Sequence, residues 1–139
     1  MDIASNILVK QAISPKTGQS SDVTDPGSVD TQGFFNGAVV ANIGAVDDAD
    51  GDETYDLEVY ESDSSDMSSA SLVTTMSIDR SNADNTVEVV RLDQLATPRK
   101  RYLETRLKTG GNTPSIDIAV EVLLGEAEHA PVGNTVTDV

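Results

Sequence analysis

The sequence predicts an all-β fold, an antiparallel β-sandwich or a jelly-roll-like barrel with long polar loops and terminal arms. Apolar side chains recur at every second position over several short stretches, the period of a half-buried strand. Clusters of Gly, Pro, Asn, Asp and Ser separate those stretches. With 37% hydrophobic and only 4% aromatic residues, the core has to be built mainly from Val, Ile, Leu and Ala.

Taken in order, residues 6–13 supply a first strand. Residues 14–30 hold Pro15, Gly18, Pro26 and Gly27 among few apolar groups, which predicts a long loop or arm. Residues 35–46 are rich in Val, Ala and Ile and read as a strand. Phe34 and Phe35 at its start point to opposite faces if extended, so one enters the core and the other is left for an interface. Residues 47–53 read as a solvated hairpin loop, in which Asp and Gly tolerate turn conformations. Tyr55, Leu57 and Val59 then alternate with Asp56, Glu58 and Tyr60. A short helical turn is offered by residues 64–72, capped by Asp66 or Ser65, and strands by 72–78 and 86–92. Arg101, Leu103, Thr105 and Leu107 alternate with Tyr102, Glu104, Arg106 and Lys108, and a second alternating run covers 114–125. The Thr109-Gly110-Gly111-Asn112-Thr113-Pro114 turn between them predicts a β-hairpin. The tail after Gly125 is irregular, giving about seven or eight strands in all.

A length of 139 residues fits one domain spanning 1–139, with irregular segments near 14–30 and 126–139. The chain has no cysteine, which excludes disulfides, a thiolate nucleophile and cysteine zinc sites. A net charge of −15 argues against nucleic acid as a partner, because duplex binding needs Lys and Arg to displace counterions. Such acidity also suits a salt-rich medium. No apolar run reaches the ~18–20 residues that cross a bilayer, so no membrane partner is expected and the chain is read as cytosolic when made. The charge is uneven: residues 1–79 carry a balance of −13, residues 80–108 of +3 and residues 109–139 of −5. Arg99, Lys100 and Arg101 thus form a basic island, which can meet an acidic partner or pair within the molecule.

Catalysis has little support. His129, the single histidine, sits in a Pro-flanked tail where no strand orients it, and neither a nucleophile elbow nor a phosphate or dinucleotide loop occurs. No cofactor and no small-molecule substrate is expected. The acidic loop offers Asp48, Asp50 and Asp52 as candidate calcium ligands, yet an EF-hand register starting at Asp48 puts Glu53 where Gly belongs and Val59 where Glu belongs. Tyr102 can present its ring to a cation or a partner, or pack at a sheet edge.

Arg101-Tyr102-Leu103, the Thr109-Gly110-Gly111 turn, Pro114, the run Ala119-Val120-Glu121-Val122-Leu123-Leu124-Gly125 and the closing His129-Ala130-Pro131-Val132 together carry a family resemblance. This region, roughly 99–132, resembles small structural proteins of tailed viruses that are encoded beside the major capsid protein. The resemblance implies a head decoration, or cement, protein that binds the outside of the capsid as trimers. Glu104 departs from the pattern, replacing a second cationic residue. The expected interface residues are Arg99, Lys100 and Arg101 as charge partners, Phe34 and Tyr102 as anchors, and Pro131 with Val132 in a docking tail. The major capsid protein is the expected partner. Rival readings are a tail-tube or head-completion protein, and a secreted calcium-dependent adhesion or carbohydrate-binding module centred on residues 47–53.

Overall fold

The structure, a computed structural model, describes residues 3–92 and 99–127. After one helical turn at Ile3–Asn6, eight strands follow: β1 (Leu8–Gln19), β2 (Val29–Asp30), β3 (Phe34–Val46), β4 (Thr54–Ser62), β5 (Ser71–Ser77), β6 (Thr86–Leu92), β7 (Tyr102–Gly110) and β8 (Ile116–Ala127). They form two antiparallel four-stranded sheets, β1-β8-β3-β6 (sheet A) and β2-β7-β4-β5 (sheet B). The all-β sandwich expected from the alternation is therefore what the chain builds.

The pairing has a simple rule. β1 pairs with β8, β2 with β7, β3 with β6 and β4 with β5, as if one long antiparallel ribbon had been folded at the β4–β5 turn. Rolling that ribbon adds the β3–β8 and β4–β7 pairings and closes it into two layers, the jelly-roll arrangement. β4–β5 is the one true hairpin between consecutive strands of the sandwich. The hairpin expected between residues 101–108 and 114–125 does not form, because β7 lies in sheet B and β8 in sheet A. Residues 47–53 likewise pass from sheet A to sheet B instead of closing a hairpin. Alternation tells which face of a strand is buried, and it is silent about which strand lies alongside.

The core sits between the sheets. Val39, Ala41 and Ile43 of β3 and Ile118, Val120, Val122 and Leu124 of β8 face Leu57 and Val59 of β4 and Leu103 and Leu107 of β7, all buried. Thr105 lies among them, and its Oγ1 is buried without a hydrogen-bond partner. Residues 64–72 form turns and no helix: Ser64 O accepts from the Met67 amide, and Asp66 Oδ1 accepts from the Ser68 amide at 2.9 Å. Here the short polar side chains bond the backbone locally and compete with helix.

Residues 14–30 depart furthest from expectation. β1 continues through Pro15 and Gly18 to Gln19, with register shifts against β8 at three points. As an edge strand it tolerates a proline that a central strand would not. The chain then runs down the rim of sheet B. Val23 exchanges both backbone hydrogen bonds with Leu107, Ser14 N donates to Asp25 O, Pro26 bridges to Ile13, and β2 pairs with β7. What reads as a free arm is a seam that shuts one side of the sandwich. Of the predicted tail, Gly125, Glu126 and Ala127 belong to β8, and residues 128–139 lie outside the described residues.

Two outcomes follow for stability. Leu107→Ala, at a fully buried site in the seam, should cost about 2–5 kcal/mol in urea unfolding. Thr105→Val, which removes a buried hydroxyl lacking a partner, should raise stability by about 1 kcal/mol in the same assay.

Candidate functional site

The acidic loop that suggested a cation site has a cation of its own. Arg80 donates from Nε to Asp48 Oδ1 at 2.7 Å, from Nη2 to the Gly51 carbonyl at 2.6 Å and from Nη1 to the Glu53 carbonyl at 3.2 Å. The other carboxylates turn elsewhere. Asp50 Oδ2 accepts from Asn112 Nδ2 and Thr113 Oγ1, each at 3.0 Å, and Asp52 Oδ1 accepts from the Asn112 amide at 3.0 Å. Asp48, Asp50 and Asp52 do not converge, and among the described residues no three metal-binding side chains do. Asp50 and Asp52 lash the β3–β4 crossing to the β7–β8 crossing, and Asp48 ties it to Arg80 in the connection from β5 to β6. Gly111, at φ +86°, makes the approach possible, since a Cβ there would overlap the Asp52 carbonyl.

Two buried groups complete this end of the sandwich. The Tyr55 hydroxyl accepts from the Ser115 amide at 2.9 Å and faces the carbonyls of Asp47 and Ser115 at 3.0 and 3.1 Å. Burial pushes its pKa up. Glu53 is fully buried, with Oε1 accepting from the Asp50 amide at 2.8 Å and Oε2 unpartnered. Burial alone would raise its pKa, but the amides of Asp50, Glu53 and Gly51 and the charge of Arg80 outweigh it and hold the carboxyl below its ordinary value. The sequence signal for Arg80 was its isolation, the one basic residue between Lys16 and Arg91.

The basic island is largely answered within the chain. Arg101 binds Asp30 through Nε and Nη2, at 2.9 and 2.8 Å, and its guanidinium lies 5.0 Å from the Tyr102 ring centre. Arg99 Nη1 is 3.5 Å from Glu61 Oε2, and Lys100 Nζ donates to Ser71 Oγ at 3.2 Å. Tyr102 is half-buried on β7. Phe34 packs against the core, whereas Phe35 is 48% exposed; of the pair, the outward ring is Phe35 and not Phe34. Pro131 and Val132 lie outside the described residues.

Geometry separates two outer faces of opposite character. On sheet B, the alternates of buried Leu57, Val59, Leu103, Thr105 and Leu107 are Glu58, Tyr60, Tyr102, Glu104, Arg106 and Lys108. They are bound to one another: Arg106 meets Glu104 at 2.6 Å and covers the Tyr60 ring at 3.9 Å, while the Tyr60 hydroxyl donates to Glu58 at 3.0 Å. Lys108 reaches Asp22 at 3.0 Å.

Sheet A presents the reverse. Its outward rows, read across the strands, are Val9-Leu123-Ala38-Arg91, then Gln11-Glu121-Val40-Val89, then Ala119-Asn42-Val87. Val87 and Val89 are each 60% exposed. Glu121 is engaged by Asn42 Nδ2 at 2.9 Å, so a row of aliphatic side chains is interrupted by few polar groups. A shallow apolar depression between Ile7, Gly37, Ala38 and Leu123 continues the face toward the first helical turn. Sequence alternation alone could have located this face, since Val87, Val89, Val40 and Leu123 sit at the positions that alternate with the core. Such an exposed aliphatic face stands out on a chain of charge −15.

The carboxylates also set an acid limit. Asp22 is held low by the Thr109 amide and then Lys108, and Asp30 by Arg101, each below the ordinary 3.8; Glu53 lies below 4.5. Because the unfolded chain then binds more protons, the stability these groups contribute is present above those ordinary values. It is lost as pH falls through the lower folded ones. Thermal melts should be nearly flat above about pH 5 and drop steeply below it, and Asp30→Asn should make that drop shallower.

No protein-family model matches the chain, and no curated protein matches it. Among solved structures, a chain in the structure of infectious bursal disease virus Gx strain is similar over 86% of this chain, with 9% sequence identity and a TM-score of 0.41. The likeness takes in 32% of that chain, so the present protein spans about a third of its length.

Proposed function

We propose that this chain is a structural protein of a virion, a decoration or cement protein that binds the outer surface of a tailed-virus head and braces it by bridging capsid subunits. It works by binding and not by catalysis. The observation that carries the reading is the aliphatic outer face of sheet A on an otherwise strongly anionic sandwich. Burying apolar area there supplies about 25 cal/mol per Å2, and no charged pair has to be broken to do so. The charged face of sheet B stays in water, where its internal pairing costs nothing.

Charge argues for the outside of the head. A net charge of −15 is repelled by packaged nucleic acid and meets no such penalty on the outer surface. The resemblance of residues 99–132 to tailed-virus proteins supports the same reading, as does an eight-strand jelly roll, an architecture that capsid domains use along with lectins and cupins. Fold alone does not choose among those, and the exposed aliphatic face supports a protein partner. The major capsid protein is the partner, met by homotrimers whose many copies add avidity.

Purified protein mixed with undecorated heads should bind in hundreds of copies per particle. V87Q/V89Q should weaken that binding by about tenfold or more, given ~1.5–3 kcal/mol for a fully buried valine, while leaving the melting temperature unchanged. Occupancy by a dozen or fewer copies would point to a tail or connector role, and binding insensitive to the double variant would remove sheet A from the interface.

A further inference from the structure

The two long sides of the sandwich are unlike. On one, residues 20–30 bond to β7 and to β1 and close the gap between the sheets. On the other, β5 and β6 are both edge strands of seven residues, one in each sheet, and no strand among the described residues covers either. Neither contains proline, and the exposed Leu72, Val87 and Val89 lie along them. An edge of this kind offers a row of free amides and carbonyls that a strand from another chain can use.

Between the two edges lies a cleft of about 220 Å3, lined by Val73, Thr74, Val90, Arg91, Leu92 and Arg99. Its charge is the reverse of the molecule's. Six of the nine basic residues are spent in ion pairs, which leaves the side-chain charges of Lys10, Arg91 and Lys100 without a carboxylate among the described residues, while Glu61 Oε2 accepts from the Lys100 amide at 3.2 Å. Arg91 lines this cleft, and Lys100 reaches Ser71 at the start of β5. Arg99 stands there too, with Glu61 at 3.5 Å. Cations left over at an open edge of a protein of charge −15 need an anionic partner, and the free backbone specifies an extended one.

We infer that the β5/β6 edge is a second docking site, which takes an extended acidic segment of a partner chain as an added strand. Apolar residues of that segment point into the cleft over Val73, Val90 and Leu92, and its alternate carboxylates reach Arg91, Arg99 and Lys100. Glu88 lies on β6 toward the Thr86 end, so the carboxylates belong at the Leu92 end. This site adjoins the outer face of sheet A, with Arg91 at their shared border, and does not depend on the partner proposed for that face.

The test uses a blocked peptide of about seven residues alternating Val and Glu, titrated into the labelled full chain by NMR, with Val/Lys and Val/Ser peptides beside it. The Val/Glu peptide should shift amides of β5 and β6, slow their hydrogen exchange, and bind more weakly as ionic strength rises from about 0.01 M to about 1 M. R91E/K100E, which breaks no ion pair among the described residues, should weaken binding by about tenfold or more, the effect of reversing two charges at the site, and a melt beside the parent's checks that the fold is kept. Equal binding of the Val/Lys peptide, shifts confined to β1, β3 and β8, or no binding near ~1 mM would overturn the inference. So would self-association across this edge that R91E/K100E abolishes, since the occupant would then be a second copy.

Discussion

The structure depends on one constraint: apart from the β4–β5 turn, neighbours in the ribbon are distant in sequence, so the chain must cross between the sheets again and again. β1 cannot pair until β8 exists, and β3, one of the two central strands of sheet A, waits for both β6 and β8. Crossings place backbone polar groups where neither sheet satisfies them, and each needs a local partner. At one end of the sandwich that partner is a small set of side chains. Tyr55 caps the Ser115 amide, Arg80 holds the carbonyls of Gly51 and Glu53, and buried Glu53 collects the amide of Asp50.

This explains which parts of the fold were legible beforehand. Strand positions in residues 35–46, 55–60, 86–92 and 114–125 follow from burial with a period of two, and the structure places β3, β4, β6 and β8 there. Partner choice is a different kind of information. Nothing local in the Thr109–Pro114 turn distinguishes a hairpin from a crossing; the decision is made by Asp50, Asp52 and Gly111, residues that meet only after both crossings have formed. Residues 14–30 misled for the opposite reason. Proline, glycine and polar side chains are the marks of a loop, yet an edge strand and a seam are built mostly of backbone bonds, which any sequence can supply.

The site was legible in part. The basic island was visible as a run of charge, but its pairing with Asp30 and Glu61 brings together residues far apart in the chain. The acidic loop drew attention as a possible cation site because carboxylates cluster in it. The cation is Arg80, lone in sequence and central in space. The sheet A face, by contrast, was written in the alternation itself: valines at positions that a solvated face would fill with polar residues.

Charge, in the end, separates the surfaces that hold the molecule together from those left to meet something else. A chain of −15 repels itself, and six of its cations are consumed in reducing that repulsion where carboxylates crowd. Sheet B and the closed seam use most of them and are thereby complete. Among the described residues, sheet A's outer face has neither charge pairs nor a cover, and the edge beside it has side-chain cations without carboxylates. Such incompleteness costs stability in the isolated chain, because exposed valines and unpaired strand edges invite association. Covering the face and the edge would recover that cost, because this sandwich is finished on one side and unfinished on the other.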